Sequence, residues 1–279
     1  MAKYGKLVAL IVIAALAVVT FALVGCSQPA ATPPTETTST QAPAVDLKLV
    51  TPGQLTAGSD TTFPPFESMK GNVTEGFDVD LLTAVAKEMG ISKVVFLSEI
   101  FDSLIPTLKA GGKFDVIASG MTIKAERELE IDFTDPYFDS NQSIAMKTGG
   151  TYTAPADLKG KKIGVQSGTT GSSWASENLK PAGATIVQFK DTAGAFAALQ
   201  AGNVDAVIND LPVTAEYVKD TSKGIAMVAQ IPTGEQYGFG VSKDNPALKA
   251  ALNAGLTKVR ASGEYDAIYT KWFGVAPTK

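Results

Sequence analysis

From Leu7 to Val24 eighteen consecutive positions are apolar except Thr20. Lys3 and Lys6 precede this run, giving it the layout of an export signal, and its length also permits a spanning helix. From Ser27 to Asp46 the pattern gives way to four prolines among threonines and alanines, with Glu36 and Asp46 the only charges. Such a composition cannot bury a core and stays extended, reaching roughly 25 Å as a coil or about 60 Å as polyproline helix. Past Asp46, strand-like apolar runs alternate with amphipathic segments, which predicts an α/β protein. In Gly76 to Gly90, Leu81, Leu82, Val85 and Met89 share one helical face, with Asp78 as N-cap and Gly90 as the stop. Phe101 to Lys109 reads as a helix ended by Gly111 and Gly112, Phe114 to Ser119 as a buried strand, and Lys161 to Gln166 as another. This last strand leads through Ser167–Gly171 into a helix holding Trp174 and Leu179. The order of helix end, glycine turn, aspartate and apolar strand over Leu108–Ile117 returns over Leu199–Ile208. One shared phrase is a weak repeat, but with two starts of α/β structure it predicts two similarly built lobes and a cleft between them.

Composition narrows the chemistry. The 279 residues contain no histidine and one cysteine, Cys26. Imidazole general bases, Ser-His-Asp and Cys-His arrangements, intrachain disulfides and four-ligand zinc sites are excluded by counting. Leu23-Val24-Gly25-Cys26 resembles the bacterial lipobox, in which the thiol is acylated and the chain is cut just before it. Residues 1–25 would then be a lipoprotein signal peptide and 26–46 a lipidated cysteine with its tether. An uncleaved anchor around an incidental cysteine is the alternative, and an O-glycosylated stalk would have a composition like the tether's. Removing residues 1–25 takes two lysines and no acids, leaving 22 basic against 28 acidic residues. That balance argues against nucleic acid as a partner.

Candidate binding chemistry falls at strand ends. The Ser167–Gly171 loop matches neither a P-loop nor a dinucleotide fingerprint, but it opens a helix and suits either a carboxylate or a plain turn. Thr122 and Arg127 follow a buried strand, where open α/β sheets bind ligands. Arg127 suits a bidentate carboxylate clamp or a solvated place among Glu126, Glu128 and Glu130. Asp210 closes an apolar strand and could receive an ammonium group or cap a turn. Phe63 and Phe66 lie in a proline-rich loop with Asp60 and Glu67.

Together the phrases SDTTFPPFE (59–67), GFDVDLL (76–82), SGMTIKAERELEIDFTDPYF (119–138), GVQSGTTG (164–171), VDAVINDLP (204–212) and YDAIYTKWFG (265–274) resemble the bacterial extracellular solute-binding proteins of family 3. These are the polar-amino-acid receptors of ABC importers. The likeness runs from about Leu47 to Gly274 and implies a two-lobed periplasmic-binding-protein (type II) clamshell closing over one amino acid. Its two hinge strands would lie at 137–141 and 233–237, with lobe 1 at 47–136 and 238–279 and lobe 2 at 142–232. By the same resemblance Arg127 clamps the ligand α-carboxylate, assisted by Thr122 and the Thr170 amide. Asp210, Thr122 and the Gly120 carbonyl hold the α-ammonium, and Phe63 and Phe101 sandwich the side chain. Asp60, Gln166 and Asn209 face the side chain's end. Glutamine-binding members carry lysine at Gln166 and histidine at Asn209, so arginine, lysine and ornithine stand beside glutamine as ligands.

The expected function is a lipid-anchored, monomeric, non-enzymatic receptor with no cofactor, facing the periplasm or cell exterior and delivering its ligand to a membrane permease. Its rivals are an enzyme like the cyclohexadienyl dehydratases, which share the fold, and a sensing domain acting through a partner.

Overall fold

Strand β1 (Gln54–Ser59) is buried over all but its first residue and seeds the first large sheet. The computed structural model describes residues 46–277. The expected signal peptide, Cys26 and the tether up to residue 45 therefore lie outside the described residues. A small antiparallel sheet follows β1: β2 (Thr62–Phe63), β3 (Glu67–Lys70) and β4 (Val73–Glu75). Then come α1 (Phe77–Glu88), β5 (Lys93–Ser98), α2 (Phe101–Ala110), β6 (Val116–Ile117), α3 (Ala125–Glu128) and β7 (Asp132–Phe133). The chain crosses to a second large sheet through β8 (Phe138–Lys147), β9 (Lys162–Gln166), α4 (Thr170–Asn178) and β10 (Thr185–Phe189). That half continues with α5 (Thr192–Ala201), β11 (Ala206–Asp210), α6 (Leu211–Val218) and β12 (Ile225–Tyr237). The chain returns as β13 (Gly240–Val241) and ends in α7 (Pro246–Ala261) and α8 (Glu264–Phe273).

The first sheet has the order β5-β1-β6-β13-β7 and the second β10-β9-β11-β8-β12. Each begins with parallel βαβ units and finishes with antiparallel strands, so the fold is α/β and two-lobed. Leu81, Leu82 and Val85 of α1 are fully buried in the largest apolar cluster, each contributing about 1.5–3 kcal/mol by leaving water. The second sheet has an apolar cluster around Ile163, Val165 and Leu179 and another around Phe196, Leu199 and Val207. The chain passes between the sheets twice, from β7 to β8 and from β12 to β13. The two crossing strands pair with each other, Phe138 opposite Tyr237 and Ser140 opposite Glu235. A register shift between Ile231 and Glu235 interrupts that ladder, and Gly234, at φ +64°, donates its N–H to Asn141 Oδ1 at 3.0 Å within it.

Three local expectations change. Gly76, not Asp78, is the N-cap of α1, and only glycine fits there, since a Cβ would meet the Phe66 carbonyl oxygen at 1.9 Å. Asp78 lies inside the first turn with its side chain buried. The strand expected over Phe114–Ser119 pairs only at Val116–Ile117, although all six residues are buried. Leu179 caps α4 rather than lying within it.

Candidate functional site

The ends of β6 and β11, the start of α2 and the loop into α4 converge on one cavity. It is lined by Phe63, Phe101, Gly120, Thr122, Arg127, Thr169, Thr170 and Asp210. Its volume is about 10 Å³, the room of a single water, so anything larger enters only as the walls move apart. Seven of the ten expected ligand-binding residues are therefore neighbours. Gly120 makes the approach possible: its φ is +49°, and a Cβ there would lie 2.7 Å from the Phe63 ring.

Arg127 is 6% exposed, so the solvated alternative does not hold. Its guanidinium donates to the Thr122 carbonyl at 2.8 Å and the Gly168 carbonyl at 3.0 Å, and lies 5.2 Å from the centre of the Phe101 ring. Burial lowers its pKa, while Asp210 and Glu235 oppose that shift. Asp210 occupies the N-cap position of α6, but its side chain makes no capping bond. It accepts instead from Gln142 Nε2 at 2.6 Å and from the Tyr237 hydroxyl. Burial, then the Glu235 charge, raises the Asp210 pKa to about 7 against the pull of Tyr237, Gln142 and Arg127.

Asp60 and Gln166 meet beside this cavity. Gln166 Nε2 donates to Asp60 Oδ2, and Thr192 fixes the amide by donating to Gln166 Oε1 at 2.8 Å. Burial raises the Asp60 pKa, opposed by bonds from Thr62 and Gln166. Asn209 is also buried, but its Nδ2 has no hydrogen-bond partner. Its backbone carbonyl accepts from Ser143 Oγ at 2.8 Å.

The residue that sequence reasoning missed is Glu235. Thr122 Oγ1 and Thr170 Oγ1 both donate to its Oε2 at 2.8 Å, and Gln142 and Thr233 donate to its Oε1 at 3.0 Å. One carboxylate on a crossing strand thus takes a hydroxyl from each half. Further bonds join the halves from Ser167 to Asp102 at 3.0 Å and from Tyr217 to the Thr62 carbonyl at 3.2 Å. Among the described residues no group of three or more carboxylate, thiol or imidazole side chains could hold a metal, and no helix is long and apolar enough to cross a membrane.

The chain is 42% identical over 221 residues to the "Probable histidine-binding protein" of Neisseria gonorrhoeae, covering 77% of this chain and 81% of that protein. It is 38% identical over 226 residues to the L-arginine-binding protein of Pseudomonas aeruginosa, covering 77% and 86%. Among solved structures, an ancestral arginine-binding protein bound to arginine superposes with a TM-score of 0.76 at 42% identity, over 80% of this chain and 99% of that one. The ancestral amino acid-binding protein AncCDT-1, a precursor of cyclohexadienyl dehydratase, gives 0.73 at 38%, over 79% and 96%. The family model for bacterial extracellular solute-binding proteins, family 3, matches residues 55–275, and the chain belongs to that family.

Proposed function

We propose that this protein is the amino-acid receptor of an ABC importer, and that it takes a basic L-amino acid, arginine foremost. The observation that carries the reading is the pairing of a buried cation, Arg127, with a buried carboxylate, Asp210, on one small cavity between aromatic rings. That arrangement matches the two charges of an amino-acid backbone. Around it stand three carboxylates, Asp60, Asp210 and Glu235, against a single arginine, which favours a ligand carrying an extra positive charge. The arginine- and histidine-binding names of its relatives support the same class. The lobes divide at 137–141 and 233–237, where the crossing strands pair and their register shifts, so that closure brings Arg127 and Asp210 together. Asp60 receives the side-chain cation, displacing the Gln166 amide. The protein acts as a monomer and performs no catalysis, because the carboxylates nearest the cavity are committed to binding.

A thermal-unfolding screen against the twenty amino acids and ornithine tests this reading. Arginine, lysine or ornithine at about 100 times its dissociation constant should add about 2.7 kcal/mol of stability. A response to glutamine alone would overturn the basic ligand, and no response to any amino acid would overturn the receptor. Formation of an aromatic product from prephenate would favour the dehydratase instead.

The export signal and lipidated Cys26 place the receptor at the outer face of a membrane, lifted clear of it by the tether. Cys26→Ser should leave the chain either unprocessed or released to the soluble fraction, since only the thiol takes the lipid. Membrane retention of the correctly processed variant would remove lipid as the anchor.

A further inference from the structure

Two carboxylates behind the cavity take no part in the ligand reading. Glu67 and Asp78 are both fully buried. Their segments are stitched together, Phe77 N donating to the Pro65 carbonyl at 2.9 Å and Asp78 N to the Phe66 carbonyl at 3.0 Å. Both carboxylates also reach the same dipeptide. Ser119 Oγ donates to Glu67 Oε1 at 2.9 Å, and Gly120 N donates to Asp78 Oδ2 at 2.9 Å. Asp78 Oδ2 takes a second bond, from the Tyr137 hydroxyl at 2.6 Å. The other oxygen of each group, Glu67 Oε2 and Asp78 Oδ1, is buried with no hydrogen-bond partner.

Two orphaned oxygens on neighbouring buried acids are costly if both groups are ionised, because each leaves a desolvated charge unpaired and they repel each other. One proton between them removes both penalties. We infer that Glu67 and Asp78 share a single proton between Oε2 and Oδ1, and that this pair is the positioning element holding the cavity wall. The wall hangs on it at two points. Gly120 N is bonded directly, and Asp60 N donates to Ser119 Oγ at 2.9 Å, which in turn donates to Glu67. The surroundings favour retention of the proton. The charged groups that act on Glu67 are Asp78, Asp60 and Asp210, all carboxylates, and Tyr137 meets Asp78 as a neutral donor. Burial first, then the Asp78 charge, pushes the Glu67 pKa well up, and burial pushes Asp78 to about 7.

Folding then takes up one proton that the unfolded chain has already released. The folded pKa of the pair is raised, so its contribution is complete below the ordinary carboxylate range and is lost as pH rises towards the pair's own pKa. Across that window the folding constant falls tenfold per pH unit for this proton. The test uses an Asp210→Asn background, which removes the other strongly perturbed carboxyl of the site. Infrared spectra at pH near neutrality should show the C=O stretch of a buried protonated carboxyl group, and adding Glu67→Gln should abolish it. The glutamine amide can still accept from Ser119 and donate to Asp78, so the double variant should fold and should lose the tenfold-per-unit slope. If it does not fold, Asp78→Asn offers the same replacement from the other side. Absence of the carboxyl band in the Asp210→Asn protein, as two ionised groups bridged by water would give, overturns the proposal. So does a band or a slope that survives both the Glu67→Gln and the Asp78→Asn replacements.

Discussion

Arg127→Ala is expected to weaken arginine binding by about 2 to 5 kcal/mol, because the ligand carboxylate would be desolvated on closure with no cation to meet it. The guanidinium also spans the halves, from the Thr122 carbonyl to that of Gly168, so the variant should close less completely as well. Titration calorimetry measures the first effect and small-angle scattering of the arginine-saturated protein the second. Arg127→Lys separates charge from geometry: it restores the charge but cannot reproduce the fork that reaches both carbonyls, and should recover only part of the loss. Wild-type affinity in Arg127→Ala would remove this residue from the site.

The second large effect is a pH dependence set by Asp210. Its pKa rises from 3.8 in an unfolded chain to about 7 in the folded one. Its stabilising contribution is therefore complete below pH 3.8 and is lost as pH climbs to about 7. The span corresponds to on the order of 4 kcal/mol. Asp60 and Asp78 are raised as well, while Asp132 and Asp157 are shifted downward and contribute with the opposite sign at lower pH. The informative quantity is thus the stability of the wild type minus that of Asp210→Asn, which stays neutral throughout. That difference should move against the wild type between pH 4 and pH 7 and then level off, as denaturant titrations would show. A difference that does not change with pH would mean that Asp210 is ionised in the fold. An ammonium ligand requires the carboxylate, so below pH 7 binding should expel a proton. Calorimetry in buffers of different ionisation enthalpy reads that proton directly.

Local periodicity marked α1, α2 and β9 to within a residue or two, because the apolar face of a helix and the burial of a parallel strand are written in neighbouring positions. Seven of the candidate site residues fall together for a related reason: strand ends and the loops after them point to one edge of each sheet. The rest depends on distant pairs. Asp78 reads as a cap because its actual partners, Gly120 and Tyr137, are 42 and 59 positions away. Glu235 lies just past the register shift in β12, where the in-and-out alternation of a strand is reset and no longer predicts which way a side chain points. Asn209 shows the opposite limit. The family pattern sends it towards the ligand, while it does not line the cavity and its buried Nδ2 makes no hydrogen bond.

The short strand β13 carries a consequence for how the chain is made. It lies between β6 and β7 and pairs with both, yet it arrives more than a hundred residues after either. The second sheet waits almost as long, since β12 pairs with β8 only once Ile225–Tyr237 has been synthesised. A nascent chain ending near Lys223 therefore has two unfinished sheets and leaves β7 with no strand to pair with. Such late, long-range closure makes folding slow. For a chain exported as proposed above, that delay keeps both sheets open until the carboxyl-terminal elements are within reach.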